Sequence, residues 1–184
     1  MGASLYFATS NKGKFAEAEK FLSSVGIKIE HFDFSHNEIR SDRLEDIARE
    51  AAEEAYRQCQ DPVFVEDSGL FIKSLNGFPG TYSGWVLKKV GTHGVLKLMG
   101  GVKDRSAYFE ACIAYADQSG IKTFSGRCSG TISESPRGVG GFGYDPLFVP
   151  EGFDTTFAQN IELKNKLSHR YISLLELSKS LKLR

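Results

Sequence analysis

The chain has 184 residues, 41% apolar and 25% charged, which is enough for one domain with a full hydrophobic core and short for two independent ones. Its 23 Lys and Arg balance its 23 Asp and Glu, so no overall field points to DNA, RNA or a membrane surface, and a polyanion would have to be met by local charge. Cys59, Cys112 and Cys128 are odd in number without CxxC spacing, no apolar run approaches ~18 residues, and the first residues lack a signal-peptide pattern; reduced thiols in a soluble, cytoplasmic, single-domain protein (1–184) are expected.

Leu5-Tyr6-Phe7-Ala8 reads as a strand, and Phe15, Ala18, Phe21, Leu22 and Val25 fall at helical spacing up to Gly26. Between them lies Thr9-Ser10-Asn11-Lys12-Gly13-Lys14. A polar loop opening a helix forms an anion cradle, because the first helical N–H groups are unsatisfied and the dipole favours negative charge. Thr9, Ser10 and Asn11 add donors, and Lys12 and Lys14 add charge. It is not a P-loop: Ala8 stands where the first glycine would be, and Phe15 where Ser or Thr would follow the lysine. Alone, such a loop is more often plain connection chemistry. It counts only if other segments supply a metal site, a base pocket and a catalytic acid or base.

Ile27 to Phe34 alternates as a strand. Asp42 with Glu45 reads as an N-cap pair for a helix whose buried stripe is Leu44, Ile47, Ala48, Ala51 and Ala55. Pro62 to Val65 reads as a short buried strand delivering Glu66, Asp67 and Ser68 at its C-terminal end, the edge where open α/β sheets hold ligands. Magnesium takes oxygen ligands, commonly one or two carboxylates plus substrate phosphates. Asp67 suits metal binding or proton abstraction from water. In isolation its D-S-G segment reads better as a capped turn, and Glu38 as a solvated loop residue.

After the loop Gly77 to Gly80, one helix is expected through Trp85 to Val90 and a short one from Thr92 to Met99, closed by Gly100-Gly101. Ala107, Phe109, Ala111, Ile113 and Tyr115 alternate, Asp117 to Gly120 turn, and Ile121 to Ser133 return, which predicts a long hairpin. A Gly-rich loop (138–143), a short strand at Leu147-Phe148-Val149 and a helix from Ser168 complete a mixed-sheet α/β fold, with two lobes around a cleft.

Two late segments carry chemistry. In Gly141-Phe142-Gly143-Tyr144-Asp145-Pro146 the glycines allow close backbone approach and an aromatic offers a face for a base, worth ~1–3 kcal/mol; an aromatic turn packed on the core fits equally well. Lys164 and Ser168-His169-Arg170 form the other. With Ser168 as N-cap, His169 and Arg170 oppose the helix dipole, so they need a compensating anion or carbonyl oxygen, or else full exposure.

T-S-N-K-G-K at 9–14, E-D-S-G-L at 66–70, P-G-T-Y-S at 79–83, G-F-G-Y-D-P-L-F at 141–148 and S-H-R at 168–170 together resemble the inosine triphosphate pyrophosphatase family, in family order over nearly the whole chain. The resemblance implies an elongated mixed β-sheet flanked by helices, two lobes around a central substrate cleft, and a homodimer. It implies Mg²⁺-dependent hydrolysis of deaminated purine nucleoside triphosphates (ITP, dITP, XTP) to the monophosphate and pyrophosphate. By that resemblance Thr9 to Lys14 hold the triphosphate and Glu38 and Asp67 bind the metal, with Asp67 also accepting the proton of the attacking water. Ser68 contacts substrate, while Phe142, Gly143, Tyr144, Asp145, Lys164, His169 and Arg170 line the base and sugar end. Leu163 and Arg40 depart from frequent family residues, Glu and Gln, beside Lys164 and Glu38. Rival readings are a pyrophosphatase of pyrimidine or modified nucleotides and a nucleotide-binding module without turnover. Nucleic-acid binding has little support.

Overall fold

In the computed structural model, which describes residues 5–182, β1 (Leu5–Ala8) pairs in parallel with β2 (Ile29–Phe32) on one side and β3 (Val63–Ile72) on the other. A two-residue β4 (Pro79–Gly80) lies antiparallel on β3. β5 (Ser106–Asp117) and β6 (Gly120–Ile132) form the long hairpin, and β7 (Phe148–Pro150) pairs antiparallel with β6. The sheet order is β2-β1-β3-β5-β6-β7, a mixed sheet accompanied by helices as the sequence predicts. The helices are α1 (Lys12–Ser24), α2 (Leu44–Cys59), α3 (Ser83–Leu98), α4 (Ile161–Leu167) and α5 (His169–Lys182). Among the described residues no helix is long and apolar enough to cross a membrane.

The chain divides into two compact units, the first comprising the residues up to Asp67, Ala111–Gly126 and those from Arg170, the second comprising Ser68–Glu110 and Arg127–His169. In the first unit, Phe7, Phe64, Ile113 and Tyr115 of the strands bury against Ala18 and Leu22 of α1 and Leu174 and Leu177 of α5. Phe7 stacks on Phe64 at 4.4 Å between ring centroids. α1 starts three residues before its apolar pattern, because the Asn11 side chain caps it, accepting from the amides of Gly13 (2.9 Å) and Lys14 (3.1 Å).

α2 buries the expected stripe, but Asp42 is not its cap. Arg43 holds the cap position without a side-chain bond to the helix amides, and the turn before it is closed by Ser41, whose hydroxyl accepts from the Arg43 amide and donates to Asp46. The alternation of β5 ends at Ala111, beyond which every residue to Asp117 is buried. Small side chains at Cys112, Ala114 and Ala116 let the second face of the strand be covered as well.

The second unit packs Leu70, Ile72, Val86, Val95, Met99, Phe109, Phe148 and Phe157 together. β3 corrects the sequence reading: it runs ten residues, so Glu66, Asp67 and Ser68 lie within the strand instead of at its end or in a turn. Buried Leu70 and Ile72 extend it, and Gly69 admits the Gly80 carbonyl where a Cβ would clash. α3 is broken at Gly91 (φ 65°), which reproduces the expected two helices, and Trp85 on its outer side is 63% exposed. α4 was not foreseen; Asn160 caps it through a bond from the Leu163 amide.

Burial, with Glu151 adding to it, pushes the Cys128 thiol from 9.0 up to about 11. Burial likewise pushes the Tyr144 phenol up to about 12. The unfolded chain releases these protons first, so the folded state binds more protons from about pH 9 upward and stability falls as pH rises through that window. Thermal midpoints should fall between pH 9 and 11, and less steeply in Cys128→Ala.

Candidate active site

The first unit holds the loop, the predicted carboxylates Glu38 and Asp67, and the buried Arg170. In the loop, Thr9 Oγ1 accepts from the Asn11 amide at 3.1 Å and Asn11 Oδ1 takes the next two amides, so three backbone donors are satisfied internally. Outside the loop, His31 donates from Nε2 to the Thr9 carbonyl at 2.7 Å. Ser10, Asn11 and Lys12 are exposed, Gly13 and Lys14 half-buried. The Lys14 ammonium turns back to β3, donating to the Glu66 carbonyl at 3.0 Å and lying 3.6 Å from the Glu66 carboxylate. Lys14 is therefore aimed before any ligand arrives.

Glu66 and Arg170 are the two ends of one ion pair. Arg170 donates from Nε and, at 3.1 Å, from a terminal nitrogen to the two Glu66 oxygens, a bidentate fork. Its other terminal nitrogen meets Glu17 of α1 at 2.7 Å. The Arg170 side chain is 3% exposed and that of Glu66 1%. Burial alone would lower the guanidinium's pKa, yet the carboxylates of Glu66 and Glu17 hold it above its usual value. The anion that compensates Arg170 in the first helical turn is thus part of the protein. Sequence reasoning grouped Glu66 with Asp67 but gave it no role, and missed Glu17 altogether. The signal was present in Arg170 itself, since a buried cation at a helix start requires a carboxylate, but burial is not legible from one sequence.

Asp67 follows Glu66 in β3 and is half-buried; strand alternation turns its side chain to the face opposite Phe64 and Glu66. Glu38 is exposed on the segment between β2 and α2. Among the described residues no three His, Cys, Asp or Glu cluster into a ready metal cage.

The second unit gathers the aromatic and lysine segments around Asp145. The Asp145 carboxylate accepts from Lys164 Nζ at 2.6 Å and from the Phe142 amide at 2.8 Å, with both side chains of the ion pair at most 3% exposed. Lys164 also sits 4.2 Å from the Phe142 ring centroid, so one ring face meets a cation. Gly143 takes φ 68° behind Phe142. Tyr144 packs in the core with its hydroxyl donating to the Ser83 carbonyl at 3.0 Å. His169, 4% exposed, stacks on Phe109 at 4.6 Å. Ser168 is buried and immediately precedes α5, where an N-cap is expected, and Ser68 is half-buried in β3.

Gly141 makes the Asp145 hub possible, since it adopts φ 69° and a Cβ there would run into Asp145 Oδ2. Gly141→Ala should cost about 1–3 kcal/mol, from the left-handed backbone and the displaced carboxylate together. A urea melt checks this, and a loss below about 0.5 kcal/mol would contradict it.

The sequence pattern of the Ham1 family matches residues 5–180. The dITP/XTP pyrophosphatase of Thermococcus kodakarensis is 46% identical over 179 residues, covering 97% of each chain. That of Hyperthermus butylicus is 48% identical over 167 residues, 90% of this chain and 88% of its own. Among solved structures, a HAM1 protein from Coxiella burnetii superposes with a TM-score of 0.86 at 30% identity, covering 99% of this chain and 100% of that one.

Proposed function

The chain belongs to the Ham1 family, and from that membership we propose that it is a nucleoside-triphosphate pyrophosphatase, one catalytic domain hydrolysing dITP, ITP and XTP to the monophosphate and pyrophosphate. This activity keeps deaminated purines out of DNA and RNA. The protein acts as a cytoplasmic homodimer. The observation that supports the reading most is the Asn11-capped loop with the Lys14 ammonium tied back to Glu66, a fixed positive site at a helix start.

Phosphoryl substitution needs positioning and charge neutralisation more than covalent help. A water oxygen bonds to the α-phosphorus as the bond from that phosphorus to the bridging oxygen breaks, and pyrophosphate departs. Asp67 takes the proton of the attacking water, and Lys14 with the loop amides offsets the charge on the leaving group. Glu38 and Asp67 would hold Mg²⁺. Their oxygen donors suit a hard cation such as Mg²⁺. Bound there, the ion would neutralise phosphate charge and orient oxygens.

At the base end, Lys164 carries only donors, is oriented by Asp145, and suits the 6-keto acceptor of hypoxanthine or xanthine better than the 6-amino donor of adenine. Ser68, Phe142, Gly143, His169 and Arg170 complete the substrate contacts in this reading. Pyrophosphate release measured over a panel of purine and pyrimidine triphosphates with Mg²⁺ tests it. Turnover of dITP, ITP and XTP at least about 100-fold above ATP is expected, because polar mismatch in a buried site discriminates strongly. Equal turnover of all triphosphates, or none, would overturn the assignment.

A further inference from the structure

A loop binds phosphate well only if its peptide planes are set before the ligand arrives, and one plane of the Thr9 to Lys14 loop is held from outside. His31 on β2 pairs in register with Phe7 of β1. Its ring meets Phe15 edge-on at 4.9 Å, which fixes the imidazole against the first turn of α1. From there Nε2–H donates to the Thr9 carbonyl at 2.7 Å. The Thr9 amide meanwhile donates to the Phe32 carbonyl at 3.1 Å, the last rung of the β1–β2 ladder. Both sides of Thr9 are therefore anchored to β2, one by backbone and one by a side chain.

The consequence falls on Ser10. In a trans peptide the carbonyl and the following N–H point in opposite directions. With the Thr9 oxygen pinned toward His31, the Ser10 N–H is turned the other way. Among the described residues the amides of Ser10 and Lys12 have no acceptor, whereas those of Asn11, Gly13 and Lys14 are satisfied within the loop. We infer that His31 is a positioning residue for phosphate binding: it locks the Thr9–Ser10 peptide so that the Ser10 amide is presented to a phosphate oxygen. This rests on the reading of the loop as a polyphosphate site, and it names which backbone donor the ligand uses.

The full-length protein is compared with His31→Ala and with His31→Gln, whose amide nitrogen reaches about as far as Nε2. Four quantities are measured: kcat and KM for dITP, the Kd of inorganic tripolyphosphate by calorimetry, and amide exchange at Ser10 to Lys14 without ligand. In His31→Ala, KM and the tripolyphosphate Kd should rise about tenfold while kcat stays within about twofold, and the loop amides should exchange faster, as expected for one misdirected hydrogen bond to a charged ligand. His31→Gln should recover most of the affinity. Unchanged KM and Kd in His31→Ala, or a loss that glutamine does not recover, would overturn the role of His31 while leaving the enzymatic assignment intact. Protein that cleaves no triphosphate yet binds tripolyphosphate in a His31-dependent way would support the positioning role and remove the enzymatic one. Protein that neither cleaves triphosphates nor binds tripolyphosphate would overturn both.

Discussion

Arg170→Ala is expected to lower the thermal midpoint by roughly 10 °C, because deleting one partner of a buried ion pair costs about 3–5 kcal/mol and each kcal/mol shifts a chain of this size by a few degrees. The cost arises from what remains. Glu66 would stay buried without its guanidinium fork, with Lys14 3.6 Å from its carboxylate, and Glu17 would lose its 2.7 Å contact to Arg170. Removing both members of the central pair, as Glu66→Gln with Arg170→Met, should be milder than Arg170→Ala alone, since the deeply buried Glu66 charge is removed with its partner and the loss at the more exposed Glu17 is common to both variants. Urea or thermal melts of the two variants decide this. A loss under about 1 kcal/mol for Arg170→Ala would show that the fork is solvated and weak. The same geometry bears on base selection: a drop in ITP turnover by Arg170→Ala mixes lost contact with lost structure, so the cleaner probe is Arg170→Lys, which keeps the charge and removes the fork.

Asp67→Asn carries the second large expectation. The substitution keeps size and removes the proton acceptor, so kcat should fall at least about 100-fold, the usual scale of general-base catalysis. The Kd for a non-hydrolysable dITP analogue should move only a few-fold, since Asn11, Lys14 and the loop amides are untouched. Single-turnover kinetics alongside equilibrium binding separates the two. Near-normal turnover would remove Asp67 from the chemistry.

Much of this architecture is readable from residue order, and the misses share a cause. The α2 stripe is legible because Leu44, Ile47, Ala48, Ala51 and Ala55 recur at helical spacing. The hairpin is legible because β5 alternates as far as Ala111 and Asp117 to Gly120 turn. The break of α3 is legible because Gly91 has neighbours that are both helical runs. What fails is whatever depends on partners far along the chain. β3 continues through Glu66, Asp67 and Ser68 because Leu70 and Ile72 are buried by residues more than a dozen positions away. The positive loop and buried cations were visible as residue types, but not the carboxylates that hold them: Glu17 stands 153 positions from Arg170, and Glu66 stands 104. In the sequence His31 is one more residue of an alternating strand, and nothing local to it announces a bond to Thr9. Composition shows which charges exist, whereas long-range packing decides which of them meet.

The first unit is assembled from three separate stretches, and its core joins Phe7 and Phe64 to Ile113, Tyr115, Leu174 and Leu177. During synthesis the early strands therefore emerge without the surfaces that will cover them. They must wait until translation has passed Lys182 before α5 can seal that core and Arg170 can neutralise Glu66. A ribosome stalled anywhere before Arg170 would hold a nascent chain with exposed aromatic strands, a natural client for holding chaperones and for proteases.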